Sequence, residues 1–360
     1  MNKSQAHEVS VAVIPGDGIG PEVVAAALPA IDAVARTSGV QVKWNELPYG
    51  ADHYLATGET LPDSAFEDIR DTADAVLLGA LGDPRVPSNE HARDILLGLR
   101  FRLDLYINFR PCVLLHPDLC PLKSKPATAV RNIDFAIFRE NTEGLYLGRG
   151  STKNEGSPDE ECIAEEVHTY PKVSRIIRAA FEWAAANGKS RITMADKSNA
   201  IPAHRLWCHL FEKIGDDYPE IEGEHWYVDA LAMEMVREPE RFQVIVTNNL
   251  LGDILSDLGA QLVGGLGMAA SANLHPGRPG LFEPVHGSAP PLAGTRTANP
   301  MAALRTGALL MADLGYEDAA RALDSAVRAA LAAGVTTPDL GGQASTLDVA
   351  GWVTDYLAAN

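Results

Sequence analysis

The sequence predicts an α/β protein built as two domains, and three observations carry that expectation. The chain has 360 residues, long for one domain and comfortable for two. Short apolar runs alternate with alanine-rich amphipathic stretches, as strands alternate with helices in α/β folds. The first such unit is complete near the start: an apolar run, a glycine loop, then a helix opening on proline.

Taken in order, residues 9–14 (VSVAVI) read as a buried strand and residues 15–20 (PGDGIG) as a tight loop. Pro21-Glu22 opens a helix with proline in the tolerated first turn. Pro29 lies inside that helical pattern and is expected to kink it. Residues 73–79 (ADAVLLG) read as a second buried strand and residues 95–105 as a helix. Further strands are expected at 131–138, 192–195 and 242–247. Residues 148–158 (GRGSTKNEGSP) read as a polar loop or hairpin arm, and 173–186 as an amphipathic helix. Alanine-rich helices come next at 302–314 and 318–333, with no internal repeat or obvious linker.

Composition narrows the function classes. A formal net charge of −18 argues against nucleic acid, which needs a basic footprint. No apolar run reaches the roughly 18 residues of a membrane span. The polar stretch from Met1 to Val9 is not a signal peptide. Four cysteines (Cys112, Cys120, Cys162, Cys208) fit reduced thiols of a cytoplasmic protein rather than a disulfide framework. Cys112, His116 and Cys120 are evenly spaced and lack the close pairing of zinc sites.

Five segments have the residue types for chemistry. Gly16, Gly18 and Gly20 suggest a dinucleotide loop, but Pro21 stands where that fingerprint requires glycine, so a packing turn fits equally well. Arg100, Arg110 and Arg139 have the planar forks that grip carboxylates, and three of them suit a dicarboxylate; ordinary surface arginine is the alternative for each. Lys197 comes after an apolar strand, where a lysine can be tuned to act as a base or simply be solvated. Asp253 and Asp257 stand at i and i+4 on one helix face, where they repel by about 0.2–0.5 kcal/mol unless a hard cation joins them. Asp229 is a candidate third carboxylate, and the alternative is solvated aspartates near helix starts. Finally, residues 281–290 (LFEPVHGSAP) read as a loop offering backbone N–H groups to an anion.

In order along the chain, IPGDGIGPEV, LRFRLDLYINFRP, RENTEGLY, ADKSNAI, YVDALAM, NNLLGDILSDL, LFEPVHGSAP and TPDLGGQAS resemble the β-decarboxylating dehydrogenases that act on 3-isopropylmalate, isocitrate, homoisocitrate and tartrate. Each piece is modest and the ordered set is specific. The resemblance implies a two-domain α/β fold of the isopropylmalate-dehydrogenase type, not a Rossmann fold, with the active site in the interdomain cleft. It implies a larger cofactor-binding domain from residues 1–105 and 264–360. The smaller central domain, 106–263, would carry the dimer interface and an arm at about 148–170. Arg100, Arg110 and Arg139 would bind the malate carboxylates, Lys197 would act as the base and Tyr146 as the acid. Asp229, Asp253 and Asp257 would hold Mg2+ or Mn2+. Glu283, His286, Gly287, Ser288, Ala289, Pro290 and Asn299 would bind the cofactor. Active sites would be shared across a homodimer, with Lys197 and Asp229 supplied by the partner subunit.

The substrate expectation rests on the helix before Arg100. Leu96 and Leu97 stand where isopropylmalate enzymes line an apolar pocket, which favours 3-isopropylmalate and leucine biosynthesis. Isocitrate enzymes have Ser and Asn in that stretch, where this chain has Asp94 and Leu96. Homoisocitrate enzymes have arginine where Leu97 stands. Arg93 departs from the isopropylmalate pattern, which has glutamate there, and RENTEGLY leans toward the isocitrate, homoisocitrate and tartrate enzymes. A specialised 3-substituted malate is therefore the alternative. NAD is the expected cofactor, with NADP left open: Pro291-Leu292 has neither the aspartate of NAD enzymes nor the Lys/Tyr pair of NADP enzymes, and Arg296 is nearby. A non-catalytic subunit of a dehydrogenase is the rival reading, but such a subunit would be expected to lack part of this set.

Overall fold

In the computed structural model, which describes residues 7–360, the first β-branched run forms strand β1 (His7–Gly16), with Val11 and Ile14 fully buried. Most of the polar stretch before it lies outside the described residues. The chain divides into two units. The first runs to Leu105, takes in Leu114–Pro121, and resumes at Val263; the second is Tyr106–Val113 with Leu122–Leu262.

The first unit begins with β1, α1 (Gly20–Thr37), β2 (Val40–Glu46), α2 (Ala51–Thr57), α3 (Asp63–Thr72), β3 (Ala75–Ala80) and α4 (Glu90–Arg102). Helix α1 runs on through Pro29, which stands on the exposed side, where the carbonyl it leaves unbonded meets water. Apolar runs without alternation are what a parallel sheet needs when both its faces are covered, and β3 is buried at every position. Ile95 and Leu99 of α4 join Ile14, Phe66, Val76 and Leu78 in one core cluster. Each such side chain contributes about 1.5–3 kcal/mol by leaving water.

The second unit contributes β4 (Ile107–Val113), α5 (Ala127–Val130), β5 (Asp134–Glu140), the two-stranded arm β6 (Gly150–Lys153) and β7 (Glu161–Ala164), and α6 (Tyr170–Ala186). Then come β8 (Arg191–Asp196), α7 (Arg205–Gly215), β9 (Glu222–Tyr227), α8 (Val228–Arg237), β10 (Val244–Thr247) and α9 (Asn249–Leu262). Its strands lie in the order β4, β5, β10, β8, β9, antiparallel at the first pair and parallel after it. The alanine-rich face of α6 buries Val173, Ile176, Ile177 and Phe181. Every residue of the arm strands is exposed.

The first unit closes with β11 (Ala270–Leu274), β12 (Gly280–Pro284), α10 (Met301–Asp313), α11 (Glu317–Ala332) and α12 (Thr346–Ala359). Its strands take the order β2, β1, β3, β12, β11, with the last pair antiparallel. One expectation changes here. Residues 281–290 are not loop throughout: Leu281, Phe282 and Glu283 belong to the fully buried strand β12, and the loop begins only after Pro284. Among the described residues, no helix is long and apolar enough to cross a membrane.

Candidate active site

The glycine loop is a clasp for its own unit. Gly18 takes φ +59°, and a Cβ there would lie 2.0 Å from the Ser288 carbonyl oxygen, so only glycine fits. The Ser288 carbonyl accepts the Ile19 N–H at 2.8 Å, which ties the loop to the segment after β12. Between the glycines, buried Asp17 accepts the backbone N–H of Ala51 at 2.6 Å and of Gly82 at 2.8 Å, and meets His91 Nε2 at 2.8 Å. One carboxylate thus joins three separate segments, a role the sequence pattern did not single out. A cavity of about 480 Å³ opens beside this loop, lined by Gly16, Asp17, Gly18, Tyr49, Arg85 and Pro290, among others. Of the residues expected at the cofactor, it touches only Pro290.

After β12 the chain turns through His286. Its Nδ1 donates to the Gly287 carbonyl at 3.0 Å, which leaves Nε2 as a lone-pair acceptor. That Nε2 is buried without a partner among the described residues, and burial lowers the ring's pKa, which favours the neutral imidazole. Ala289 adopts φ +39°, a left-handed turn that gives the loop its bend. Asn299 is already engaged: its carbonyl caps α10 by accepting the Met301 N–H at 3.0 Å, and its amide donates to Asp339 at 3.0 Å.

Arg100 and Glu283, 183 residues apart, form a buried ion pair at 2.6 Å. Asn273 on β11 also donates to Glu283 Oε1, at 3.0 Å. The Arg100 Nε is buried and has no acceptor among the described residues, a donor left over after the pair is made. One turn earlier on α4, Leu96 packs against the core cluster, whereas half-buried Leu97 is not part of it. Arg93 stands out from the helix, 65% exposed, and pairs with its neighbour Asp94 at 3.0 Å.

In the second unit, register brings arginines together. Arg139 on β5 lies opposite Asn108 on β4, so Arg110, two residues on, shares that sheet face. Arg110 Nε donates to Asn108 at 2.9 Å. Helix α9 lies over the face, with Asn249, Asp253 and Asp257 spaced by four residues along one stripe. Asn249 accepts the Arg139 Nε at 2.9 Å, and Asp253 Oδ1 pairs with Arg139 NH1. Asp253 Oδ2 accepts the Tyr146 hydroxyl at 2.7 Å, and the guanidinium sits 5.4 Å from the Tyr146 ring centre. Arginine, tyrosine and aspartate thus make one knot. Asp257 ends the stripe with its pKa raised, first by desolvation of its carboxyl and then by the charge of Asp253; Arg110 and Arg139 oppose that shift.

Two glutamates that residue patterns alone did not single out shape the turn before Tyr146. Glu140 accepts the N–H groups of Thr142 and Glu143, and burial raises its pKa. Glu143 accepts the N–H and hydroxyl of Thr169, both at 2.9 Å, and burial pushes it up to about 6. Their spacing in RENTE was the available signal.

Lys197 and Asp229 form a separate pair at 2.6 Å, at the end of β8 and the start of α8. The Lys197 hydrogen bond holds the Asp229 carboxyl below the usual carboxylate range. Among the described residues, Asp229, Asp253 and Asp257 do not bring their carboxylate oxygens within 4.8 Å of one another. Asp229 is paired with Lys197, while Asp253 is paired with Arg139 and accepts the Tyr146 hydroxyl. Behind Lys197, its backbone N–H donates to His204 Nδ1 at 2.9 Å, and His204 Nε2 reaches Glu166 at 3.1 Å.

A family model described as isocitrate/isopropylmalate dehydrogenase matches residues 10–353. A 3-isopropylmalate dehydrogenase of Thermobifida fusca (strain YX) is 45% identical over 326 residues, 89% of this chain and 91% of that one. The crystal structure of an isocitrate dehydrogenase from Methylococcus capsulatus superposes with a TM-score of 0.86 at 36% identity, covering 97% of this chain and 99% of that one. A β-decarboxylating dehydrogenase from Thermococcus kodakarensis, in its apo form, superposes with a TM-score of 0.80 at 34% identity, covering 98% and 96%.

Proposed function

The chain belongs to the isocitrate/isopropylmalate dehydrogenase family of decarboxylating dehydrogenases, and from that premise we propose that it oxidises and decarboxylates 3-isopropylmalate with NAD and a divalent cation. The observation that carries the proposal is the knot of Arg139, Tyr146 and Asp253. It sets a carboxylate-binding cation, a proton donor and a hard-metal ligand side by side, the three functions that a β-decarboxylation of a malate requires.

The donor set suits Mg2+ or Mn2+, since Asp229, Asp253 and Asp257 offer only hard oxygens. Asp257 supports this fit: its carboxyl is raised by its surroundings and by Asp253, a strain that a bound cation relieves. That Asp229, Asp253 and Asp257 do not close into one cluster within the chain, with Asp229 paired to Lys197 instead, supports a homodimer in which each copy completes the other's set. The His286 Nε2, a buried acceptor without a partner, supports the NAD role of Glu283, His286, Gly287, Ser288, Ala289 and Pro290, with Asn299 holding α10 in place. A ribose hydroxyl or adenine amino group has the hydrogen that acceptor lacks.

When bound, the cation polarises the substrate's hydroxyl oxygen and the nicotinamide takes the hydride. The chain's own residues do the rest. Arg110 and Arg139, with Arg100 as the third arginine, bind the carboxylates, and the spare Nε of Arg100 is available for that contact. Lys197 accepts the hydroxyl proton. Tyr146 protonates carbon after carbon dioxide leaves, and Asp253 holds its hydroxyl in position. Leu96 and Leu97 line the pocket for the 3-substituent in this reading, with Leu96 also packed against the core cluster. Arg93 favours a second reading, a 3-substituent bearing an acidic group, because among the described residues it pairs with the exposed Asp94 alone.

The test is the initial rate of NAD reduction with Mg2+ on 3-isopropylmalate, isocitrate, homoisocitrate, tartrate and malate. The proposal expects 3-isopropylmalate to be strongly preferred. Preference for an acidic 3-substituent would favour the second reading, and no reduction with any of the five would overturn both.

A further inference from the structure

Apart from the proposed active site, the second unit contains two knots of metal-ligand side chains: Glu166, His168 and His204, and Asp196, Cys208 and His225. The first is committed to hydrogen bonding. His204 Nδ1 accepts the Lys197 N–H at 2.9 Å, and His168 Nδ1 accepts the Trp207 indole N–H at 3.3 Å. With Nδ1 accepting, each ring has a proton on Nε2, and both Nε2 atoms lie 3.1 Å from Glu166, that of His204 as a hydrogen bond and that of His168 without the alignment for one. A metal on either Nε2 would need the proton moved to an Nδ1 that already faces a fixed donor.

The second knot has no such conflict. We infer that Asp196, Cys208 and His225 form a binding site for one borderline-soft divalent cation of the zinc class. Asp196 ends β8, Cys208 stands in the first turn of α7, and His225 comes from the neighbouring strand β9. Asp196 Oδ1 lies 2.9 Å from His225 Nε2, Asp196 Oδ2 lies 3.0 Å from Cys208 Sγ, and the sulfur lies 3.9 Å from the ring nitrogen. Tetrahedral coordination with bonds of about 2.0–2.3 Å sets such ligand atoms about 3.3–3.6 Å apart. The His225 and Cys208 contacts use different oxygens of the one Asp196 carboxylate, and each observed spacing is within about half an ångström of that range, so turning the carboxylate and adjusting the side chains makes room for the ion.

In the chain as it stands, the thiol S–H and the imidazole N–H converge on one buried carboxylate. A dication placed between the three groups replaces both hydrogens at once. The ligand set of one sulfur, one nitrogen and one oxygen selects zinc or cobalt over magnesium, which takes oxygen. Ser198 Oγ, 3.1 Å from Asp196 Oδ1 and 3.4 Å from the sulfur, leaves a polar fourth position for itself or a water. The His225 ring is 35% exposed and Cys208 is half-buried, so an ion can enter from solvent. The site is distinct from the proposed Asp229, Asp253 and Asp257 set in both residues and donor chemistry.

The experiment uses the full chain, stripped with a chelator, kept reduced and held at saturating Mg2+, and titrates it with Co2+. The expected result is a thiolate-to-cobalt charge-transfer band that saturates at one ion per chain and is displaced by Zn2+. Cys208→Ala abolishes the band, His225→Ala weakens cobalt binding by at least about tenfold, and Cys162→Ala changes neither. If Cys208→Ala does not fold, Cys208→Ser keeps a hydrogen bond to Asp196 and serves in its place. No band in the wild-type chain, a band that survives loss of the Cys208 thiol, or one that tracks Cys162 would each overturn the site.

Discussion

Gly252 sits one residue before Asp253 on α9, and replacing it with alanine sets two opposing terms against each other. In a helix interior, glycine to alanine gains about 0.8–1 kcal/mol. At this position, however, the new Cβ would lie 2.7 Å from Arg139 Cγ and 2.8 Å from Arg139 Cβ. Those are the stem carbons of a buried arginine whose head is held by Asn249 and Asp253, so they cannot simply swing aside. Overpacking of this kind costs about 1–3 kcal/mol, and contacts this short put it in the upper half. The net expectation for Gly252→Ala is a loss of about 1–2 kcal/mol, or about 2–8 °C in Tm at the rate typical of a 150–250-residue body. The shift also separates Arg139, Tyr146 and Asp253, and a misplacement approaching 1 Å lowers turnover by up to about a hundredfold. Gly351→Ala on α12 is the control, since nothing lies within 4 Å of its new Cβ, and it should gain about 0.5–1 kcal/mol. Thermal melts and kcat/KM of the two variants decide the matter. If Gly252→Ala raised Tm as Gly351→Ala does, with kcat/KM unchanged, the close seating of Arg139 under α9 would be refuted.

Three further outcomes are expected. Lys197→Ala should lower kcat by about 10²–10⁴-fold with NAD affinity unchanged, and near-normal turnover would remove Lys197 from the role of base. Inactive Lys197→Ala and Asp253→Asn chains, mixed and refolded together, should regain activity, because each hybrid dimer contains one site with both residues intact; no recovery would count against shared sites. Glu143 has its pKa pushed up to about 6 from an ordinary 4.5, so the fold favours its protonated form. That contribution is complete below pH 4.5 and is lost as pH rises through about 6. Glu143→Gln should therefore flatten the change of unfolding free energy over this window, by about 1 kcal/mol after solvent screening; an unchanged profile would show that Glu143 titrates normally.

How much of the fold and site was legible in the sequence depends on how locally each feature is encoded. The strands β1, β3, β8 and β10 announce themselves as β-branched or aliphatic runs because both their faces are covered. Strand β9 (EGEHWY) lies at a sheet edge and is mostly exposed, so its polar composition reads as loop. Strand β12 hides a buried glutamate between glycine and proline, and Glu283 is tolerable there only because Arg100 neutralises it across 183 residues of chain. No local pattern reports such a partner. The site shows the same split. Residue types and spacing singled out Arg139, Lys197, Asp253 and Asp257, and resemblance added Tyr146. That Asp229 pairs with Lys197 depends on strand order, which spacing does not encode. The roles of Asp17 and Glu166 were likewise invisible, because their partners are backbone N–H groups or distant side chains.

Carbon dioxide release and nicotinamide reduction, monitored together on 3-isopropylmalate with Mg2+ and NAD, test the central claim most directly. The account predicts one carbon dioxide for each nicotinamide reduced, with both signals abolished when the divalent cation is chelated. Reduction without carbon dioxide, or turnover indifferent to the chelator, would contradict it.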